Sequence, residues 1–204
     1  MQPWELFNEI WTAKTVKVGE DLDFEIKTID GQVTLILPGS TTLRDWINDF
    51  RATRKVYKDQ DHKMKMHKGF IEVWKSGNDI VMEKLIEACE ENNCIKPLIT
   101  GHSMGGALSL FAAEDFKYRT GRSAEVVTFG APKTCGDKTT AEYIKECCAS
   151  ITQYAIRNDI VPMLPPFPWY KHVNKCLMGD RFSFRQFIHF TENHCTYNQE
   201  EDYK

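Results

Sequence analysis

Strand-like and helix-like patterns of hydrophobic residues alternate along most of this 204-residue chain. Residues 3–13 carry apolar side chains at helical spacing, which predicts a helix. Strands predicted at 23–29 and 32–37 are joined by Asp30-Gly31, a two-residue hairpin signal. The second strand, within VTLILPG, is nearly continuous in apolar residues. Such a run is typical of a strand that is covered on both faces.

The same alternation continues through the rest of the chain. Helices are predicted at 43–50, 70–92, 104–118 and 137–148, and strands at 95–100, 125–129 and 151–156. Gly77 is a weak point of the long helix. Strands that alternate with helices favour an α/β fold, a mostly parallel sheet with helices on both faces. A proline-rich loop at 161–170 precedes residues 181–190, whose period-two pattern predicts an edge hairpin.

Composition and charge narrow the class of protein. The length fits a single domain over residues 1–204. The 26 basic and 29 acidic residues give a net charge of −3, so nothing suggests a nucleic-acid partner. No apolar run approaches the roughly 20 residues that span a bilayer, which predicts no transmembrane segment.

The N-terminal sequence and the cysteine count predict a cytoplasmic protein. The start, MQPWELFNEIWTA, has neither a basic region nor a continuous apolar region of the kind that signal peptides carry. Seven cysteines are an odd number, so a complete disulfide framework is impossible. Reduced thiols in a reducing compartment are the favoured interpretation, while one or two disulfides stay open.

The pentapeptide Gly101-His102-Ser103-Met104-Gly105 fits the nucleophile-elbow pattern G-x-S-x-G. It lies between a predicted strand and a predicted helix, where that pattern must lie. A side chain at 101 or 105 would collide with the neighbouring strand and helix, so both positions require glycine. The N–H of Met104, at the helix start, would supply one oxyanion donor. The competing interpretation is a glycine-containing turn with an incidental serine.

Six stretches together resemble the class 3 lipases, the fungal triacylglycerol lipase-like branch of the α/β-hydrolases. They are LPGSTTLRDWINDF (37–50), HKGF (67–70), GHSMGGAL (101–108), VTFGAPKTCGD (127–137), RNDIVPMLPP (157–166) and HCTY (194–197). Their order along the chain is the family's order. The resemblance implies an α/β-hydrolase fold with a short helical lid, and a reaction that needs no metal or organic cofactor.

A serine nucleophile needs an imidazole to take its proton and a carboxylate to orient that imidazole. Asp159 follows a predicted strand at its C-terminal end, and the resemblance makes it the acid of a triad with Ser103. His194 matches the family's His-x-x-Tyr and is the predicted base, with His189 a distant second. The remaining candidate, His172, lies beside the proline-rich loop. His102 is expected to pack around the site, because its neighbour occupies the elbow.

The resemblance also assigns supporting residues around residues 39–50. Ser40 would be the second oxyanion residue, although Pro38-Gly39 replaces the family's usual Arg-Gly before it. Apolar side chains of 43–50, among them Trp46, form one stripe that suits either core packing or a mobile lid, and both interpretations stay open. Asp49 corresponds to a family aspartate near the oxyanion loop and is expected to support it.

The expected function is a serine carboxylic-ester hydrolase whose partner is an acyl-lipid or ester substrate. Residues 51–68 hold seven Lys/Arg against two Asp, which predicts a solvated loop or, alternatively, transient attraction to an anionic lipid surface. Three alternatives stay open: a phospholipase A1, a small-ester esterase, and a catalytically inert lipid-binding protein with a hydrolase fold.

Overall fold

The structure, a computed structural model, describes residues 1–19, 21–39, 54–59, 62–156, 159–166, 168–178 and 194–197. Its strands are β1 (Val16–Val18), β2 (Leu22–Ile29), β3 (Gln32–Leu37), β4 (Arg54–Asp59), β5 (His62–His67), β6 (Leu98–His102), β7 (Glu125–Phe129), β8 (Ser150–Ala155) and β9 (Leu177–Met178). Within the described residues, β4 and β5 pair with each other and form a separate two-stranded sheet. The other seven strands form one sheet in the order β1-β2-β3-β6-β7-β8-β9.

The sheet is mostly parallel, as the alternating pattern predicts. The pairs β1–β2 and β2–β3 are antiparallel, and every pair from β3 to β9 is parallel. The carboxyl ends of β3, β6, β7 and β8 therefore lie at one edge of the sheet. In an open α/β sheet this edge is where ligand sites form.

Helices cover both faces of the sheet. They are α1 (Pro3–Trp11), α2 (Lys68–Lys75), α3 (Asn78–Glu91), α4 (Met104–Thr120) and α5 (Lys138–Cys147), with a short 3₁₀ helix at Val161–Met163. Leu35 and Leu37 point into the large apolar core beneath α2 to α5, whereas Ile36 points into a smaller cluster with Phe7 of α1. Neighbouring strand residues face opposite sides of a sheet, so α1 lies on the side away from the other helices.

The region predicted as one helix over 70–92 is two helices, α2 and α3, that meet at Ser76-Gly77. A Cβ atom on Gly77 would lie 2.9 Å from Cγ2 of Val18, so the chain bends where it passes β1 closely. The predicted weak point of the helix is therefore its break.

A basic hairpin replaces the solvated loop predicted within residues 51–68. Strands β4 and β5 pair in antiparallel register, with Tyr57 opposite Met64. Tyr57, Met64 and Met66 are buried, while Lys55 and Lys65 are exposed. The loop prediction was wrong for these strands because β4 does not alternate cleanly. Val56 is exposed, and the exposed Lys55 lies on the same face as the buried Tyr57.

Several predicted features lie outside the described residues. These are the second oxyanion residue Ser40, the 43–50 stripe with Trp46 and Asp49, and the 181–190 hairpin with His189. All seven cysteines lie within the described residues and are free thiols. Among the helices of the described residues, none combines the length and the apolar character that crossing a membrane requires.

Candidate active site

Ser103 stands at a sharp turn between β6 and α4. Its backbone has φ 55° and ψ −123°, a region that non-glycine residues rarely adopt. The turn is secured by the Ser103 N–H, which donates to the carbonyl oxygen of Phe129 over 2.9 Å. The strained residue directly follows the parallel strand β6, the position that a nucleophile elbow occupies.

The glycines on either side of Ser103 give this turn the room it needs. A Cβ atom on Gly105 would overlap the carbonyl oxygen of Leu37 in β3. A Cβ atom on Gly101 would lie 2.7 Å from the same oxygen and would collide with the backbone of Gly105. The collisions expected from the sequence are therefore present, with a strand on one side and the helix on the other.

Asp159 and His194 form a buried pair at the same edge of the sheet. The Nδ1 of His194 lies 2.7 Å from Oδ2 of Asp159, and both side chains are fully shielded from solvent. Oδ1 of Asp159 accepts the N–H of Val161 over 2.9 Å, and Oδ2 also accepts the hydroxyl of Tyr197 over 2.6 Å. Three donors thus offset the burial of the carboxylate.

Gly130, just after β7, makes room for this pair. It has φ +58°, and a Cβ atom there would lie 2.8 Å from both Oδ2 of Asp159 and Cε1 of His194. Any side chain at position 130 would therefore push the acid and the imidazole apart.

His102 packs against the pair and also bonds to it. Its ring lies 4.4 Å from the ring of His194, centroid to centroid, and meets Phe7 edge-on at 5.3 Å. Its Nε2 lies 2.7 Å from the backbone oxygen of His194. Burial first, and the nearby His194 second, lower the pKa of His102 well below its usual value. The ring is therefore neutral, and since a carbonyl oxygen can only accept, its proton is on Nε2.

Two reactive atoms at this edge have no hydrogen-bond partner among the described residues. They are Oγ of Ser103, which is 2% exposed, and Nε2 of His194, which is fully buried. A buried polar atom without a partner is costly, and such atoms are often part of a functional site. An imidazole held through Nδ1 by a carboxylate leaves Nε2 as an acceptor for a hydroxyl proton.

The structure places most of the described candidate residues close to one another and one of them, His172, elsewhere. Asp159 contacts His194 directly, and His102 bridges from the elbow of Ser103 to His194. Met104 is buried and begins α4, whose first N–H groups have no acceptor within the helix. His172 is engaged elsewhere, because its Nε2 lies 2.7 Å from the carbonyl oxygen of Pro162.

Sequence reasoning missed three contributors to this geometry: the hydroxyl of Tyr197 on Asp159, the space at Gly130, and the contact of α1 with His102 through Phe7. The spacing His-x-x-Tyr was a usable signal for Tyr197. Nothing local in residues 3–11 indicates that their helix lies against the site.

Comparison with known proteins identifies the family. The sequence model of "Lipase (class 3)" matches residues 34–169, which is more than half of the chain. The solved triacylglyceride lipase of Rhizomucor miehei superimposes with a TM-score of 0.72 at 24% identity, over 81% of this chain and 66% of that one. The fold is thus that of the α/β-hydrolases, as the resemblance implied. The chain belongs to the class 3 lipase family.

Two further relatives bear on the chemistry. The "Secreted mono- and diacylglycerol lipase 1" of Fusarium solani is 27% identical over 144 residues, which are 70% of this chain and 42% of that lipase. The chain therefore spans less than half the length of that relative. A solved triacylglycerol lipase described as having a serine protease triad as its catalytic centre is 25% identical, with a TM-score of 0.66, over 75% of this chain and 61% of that one.

The predicted cytoplasmic location was wrong. The Fusarium solani relative is named as a secreted lipase, and so is a lipase of Penicillium cyclopium. The prediction depended on the first residues and on the odd number of cysteines, and neither feature measures where a protein works.

Proposed function

We propose that this protein is a serine carboxylic-ester hydrolase that acts on acyl lipids. Ser103 is the nucleophile, His194 the general base, and Asp159 the carboxylate that orients the imidazole. The observation that carries the proposal is the buried His194–Asp159 pair, 2.7 Å apart, whose Nε2 has no partner among the described residues. Oγ of Ser103, at the elbow, is also buried without a hydrogen-bond partner among the described residues.

In the first half of the reaction, Oγ of Ser103 attacks the ester carbonyl carbon while Nε2 of His194 takes the hydroxyl proton. The new Oγ–C bond gives a tetrahedral oxyanion. This intermediate collapses by breaking the bond to the alcohol oxygen, which leaves with the proton that His194 returns. The carboxylate of Asp159 keeps the proton of His194 on Nδ1 and stabilises the imidazolium while it is charged.

In the second half, water replaces the alcohol. His194 takes one proton from the water as its oxygen bonds to the acyl carbon, and then returns that proton to Oγ of Ser103 as the acyl–enzyme bond breaks. The products are the fatty acid and the restored serine. No group beyond the described side chains and water is required to balance this sequence.

The oxyanion is proposed to bind at the start of α4. The N–H of Met104 follows the nucleophile directly, and the positive end of the helix dipole adds to its effect. Ser40 remains the proposed second donor and lies outside the described residues. Loss of one such donor typically raises the barrier by about 2.7–4 kcal/mol.

A lipid substrate is proposed from the family and its members' names. Members of the family that match this chain are named as mono- and diacylglycerol or triacylglycerol lipases. Whether this chain prefers triacylglycerols, phospholipids or small esters is decided by a panel of short esters, acylglycerols and phospholipids, each tested above and below its aggregation limit. Turnover confined to soluble short esters would remove lipids from the proposal.

The central test is Ser103→Ala with a matched serine control. Ser103→Ala is expected to abolish both turnover of a p-nitrophenyl ester and labelling by a fluorophosphonate. Ser123→Ala, which changes a half-buried serine distant from the elbow, is expected to retain both. Labelling that persists in Ser103→Ala, or a wild-type protein that is never labelled, contradicts the proposal and favours an inert binding protein.

The base is tested by exchanging histidines. His194→Gln is expected to lower kcat by about 10³-fold or more, because the proton acceptor is lost. His172→Gln keeps a side chain that can donate to the carbonyl of Pro162 and is expected to leave kcat near the wild-type value. A large loss of kcat in His172→Gln, together with a near-wild-type kcat in His194→Gln, would instead assign the base to His172.

Transient binding to a lipid surface is proposed for the basic hairpin β4–β5. Lys55 and Lys65 are exposed on it, although Lys65 also pairs with Asp137 at 3.1 Å. Each basic residue near an anionic membrane contributes roughly 1 kcal/mol. The double change Lys55→Glu, Lys65→Glu is expected to reduce sedimentation with anionic vesicles more than Lys84→Glu on α3. Equal binding to neutral and anionic vesicles contradicts this proposal.

A further inference from the structure

His102 is the residue that the proposed reaction leaves unused and that the geometry ties most closely to the site. It is 5% exposed, at the end of β6, and directly precedes the nucleophile in sequence. A buried imidazole at such a position is unnecessary for an elbow, since only the two glycines have to be small. The hydrogen bond that the buried His102 makes therefore needs an explanation of its own.

The contact is with the backbone of the proposed base. Nε2 of His102 donates to the carbonyl oxygen of His194 over 2.7 Å, while the imidazole of His194 is held from its other side by Asp159 at 2.7 Å. One hydrogen bond thus fixes the backbone of residue 194, and the other fixes its ring. The ring of His102 is in turn held edge-on by Phe7 of α1.

We infer that His102 is a positioning residue, which holds the main chain of His194 so that Nε2 of His194 stays aimed at Ser103. This inference rests on the proposed function. A neutral imidazole suits this task, because a charged one would repel the imidazolium that His194 becomes during each half-reaction. A shift of about 1 Å in a catalytic group can cost about 100-fold in rate, so a bond that fixes the base affects kcat without any contact with substrate.

Three substitutions separate this role from simple packing. His102→Gln places an amide N–H close to where Nε2 of the imidazole lies. His102→Met has similar length and volume and no donor there. His102→Asn has an amide donor, but nearer the backbone, at the position of Nδ1, from which the carbonyl of His194 is out of reach.

The experiment measures kcat and KM on a soluble short ester, with kcat expressed per site titrated by a fluorophosphonate. His102→Met and His102→Asn are expected to lower kcat by about 10- to 100-fold with KM changed by less than about 3-fold. His102→Gln is expected to recover most of that loss. Titrated sites correct for any fraction that does not fold. If His102→Met does not fold at all, His102→Asn provides the comparison, because its amide donor does not reach the carbonyl of His194.

The outcomes distinguish this inference from the function on which it rests. Equal kcat values for the Gln, Met and Asn variants, at any level, overturn the positioning role and leave His102 as packing. A proportional rise in KM with unchanged kcat also overturns it. If the wild-type protein has no esterase activity, or Ser103→Ala retains it, the proposed function fails instead.

Discussion

The hydroxyl of Tyr197 lies 2.6 Å from Oδ2 of Asp159, the same oxygen that holds Nδ1 of His194. Tyr197 is fully buried, and its hydroxyl also accepts the N–H of Ile156 over 3.2 Å. The phenol therefore links the end of β8 to the carboxylate and fixes the direction in which that carboxylate faces the imidazole.

Tyr197→Phe removes this link while keeping the ring. The N–H of Ile156 loses its acceptor and Asp159 loses one donor, so the free energy of unfolding is expected to fall by about 1–3 kcal/mol. Because the His194–Asp159 bond remains, kcat is expected to fall by about 10-fold at most. Urea unfolding and ester kinetics measure the two effects. Tyr154→Phe, a change to a half-buried tyrosine stacked on Phe129, is the control, and an equal loss in both variants would contradict the link.

Asp159→Asn tests the orientation of the imidazole. The amide can offer a donor where a carboxylate accepts, so His194 is expected to hold the wrong tautomer and kcat to fall by about 10⁴-fold, as in other serine triads. The matched control is Asp137→Asn. Asp137 accepts the N–H of Thr140 at the start of α5 over 2.8 Å.

Asparagine caps a helix about as well as aspartate, so Asp137→Asn loses mainly the ion pair with Lys65 at 3.1 Å. That loss is expected to cost at most about 1 kcal/mol of stability and little activity. Comparable kcat losses in the two aspartate variants would mean that Asp159 acts through stability alone.

Gly105→Ala is expected to prevent the native elbow. The added methyl group would overlap the carbonyl oxygen of Leu37, and neither backbone can move without breaking the pairing of β3 with β6. A loss of about 3 kcal/mol or more is expected, which is the upper range for overpacking. Gly31→Asn is the control, because position 31 faces open space at φ +79°, which asparagine tolerates. The thermal unfolding midpoints of the two variants are compared. A midpoint near the wild-type value for Gly105→Ala would show that β3 can shift enough to make room for the methyl group.

The neutrality of His102 predicts a pH dependence of stability. Its pKa is lowered well below 6.5 in the folded protein by burial and by His194. Above about pH 6.5 the imidazole is neutral in both states and has no effect. As pH falls below that value the unfolded chain takes up a proton that the folded chain refuses, so the free energy of unfolding falls by up to about 1.4 kcal/mol per pH unit. Burial also lowers the pKa of His172, which acts in the same direction.

His102→Gln removes this titration. Urea midpoints of the variant are therefore expected to fall less than those of the wild-type protein between about pH 6.5 and about pH 5. The comparison at about pH 7.5 measures the cost of the substitution itself. Parallel curves at all three values would mean that His102 takes up its proton in the folded state.

The sequence predicted best where the physical signal is local. Apolar runs located the parallel strands β3, β6, β7 and β8 to within a few residues, whereas the short β9 was missed. G-x-S-x-G located the elbow because the whole pattern lies within five consecutive residues, although the strand that requires its glycines, β3, lies far away along the chain. The basic hairpin escaped prediction because β4 does not alternate cleanly: Val56 is exposed, and a lysine, Lys55, shares a face with the buried Tyr57.

The site needed more than local signals. Asp159 and His194 meet across 35 residues, and order along the chain, together with family resemblance, was required to pair them. The contact of Phe7 with His102 spans 95 positions and leaves no mark in either segment. The hydrogen bond from His102 to the backbone of His194 could not be predicted either, because a backbone acceptor is the same at every residue.

The two apolar clusters are expected to differ in their resistance to heat. The larger cluster lies beneath α2 to α5, whereas the smaller one joins Phe7 of α1 to Phe129 and Tyr197, next to the proposed catalytic groups. A helix of nine residues has little stability of its own and depends on this packing. Heat inactivation is therefore expected to begin below the temperature at which the main core melts, and α1, rather than the sheet, would set the upper working temperature of the protein.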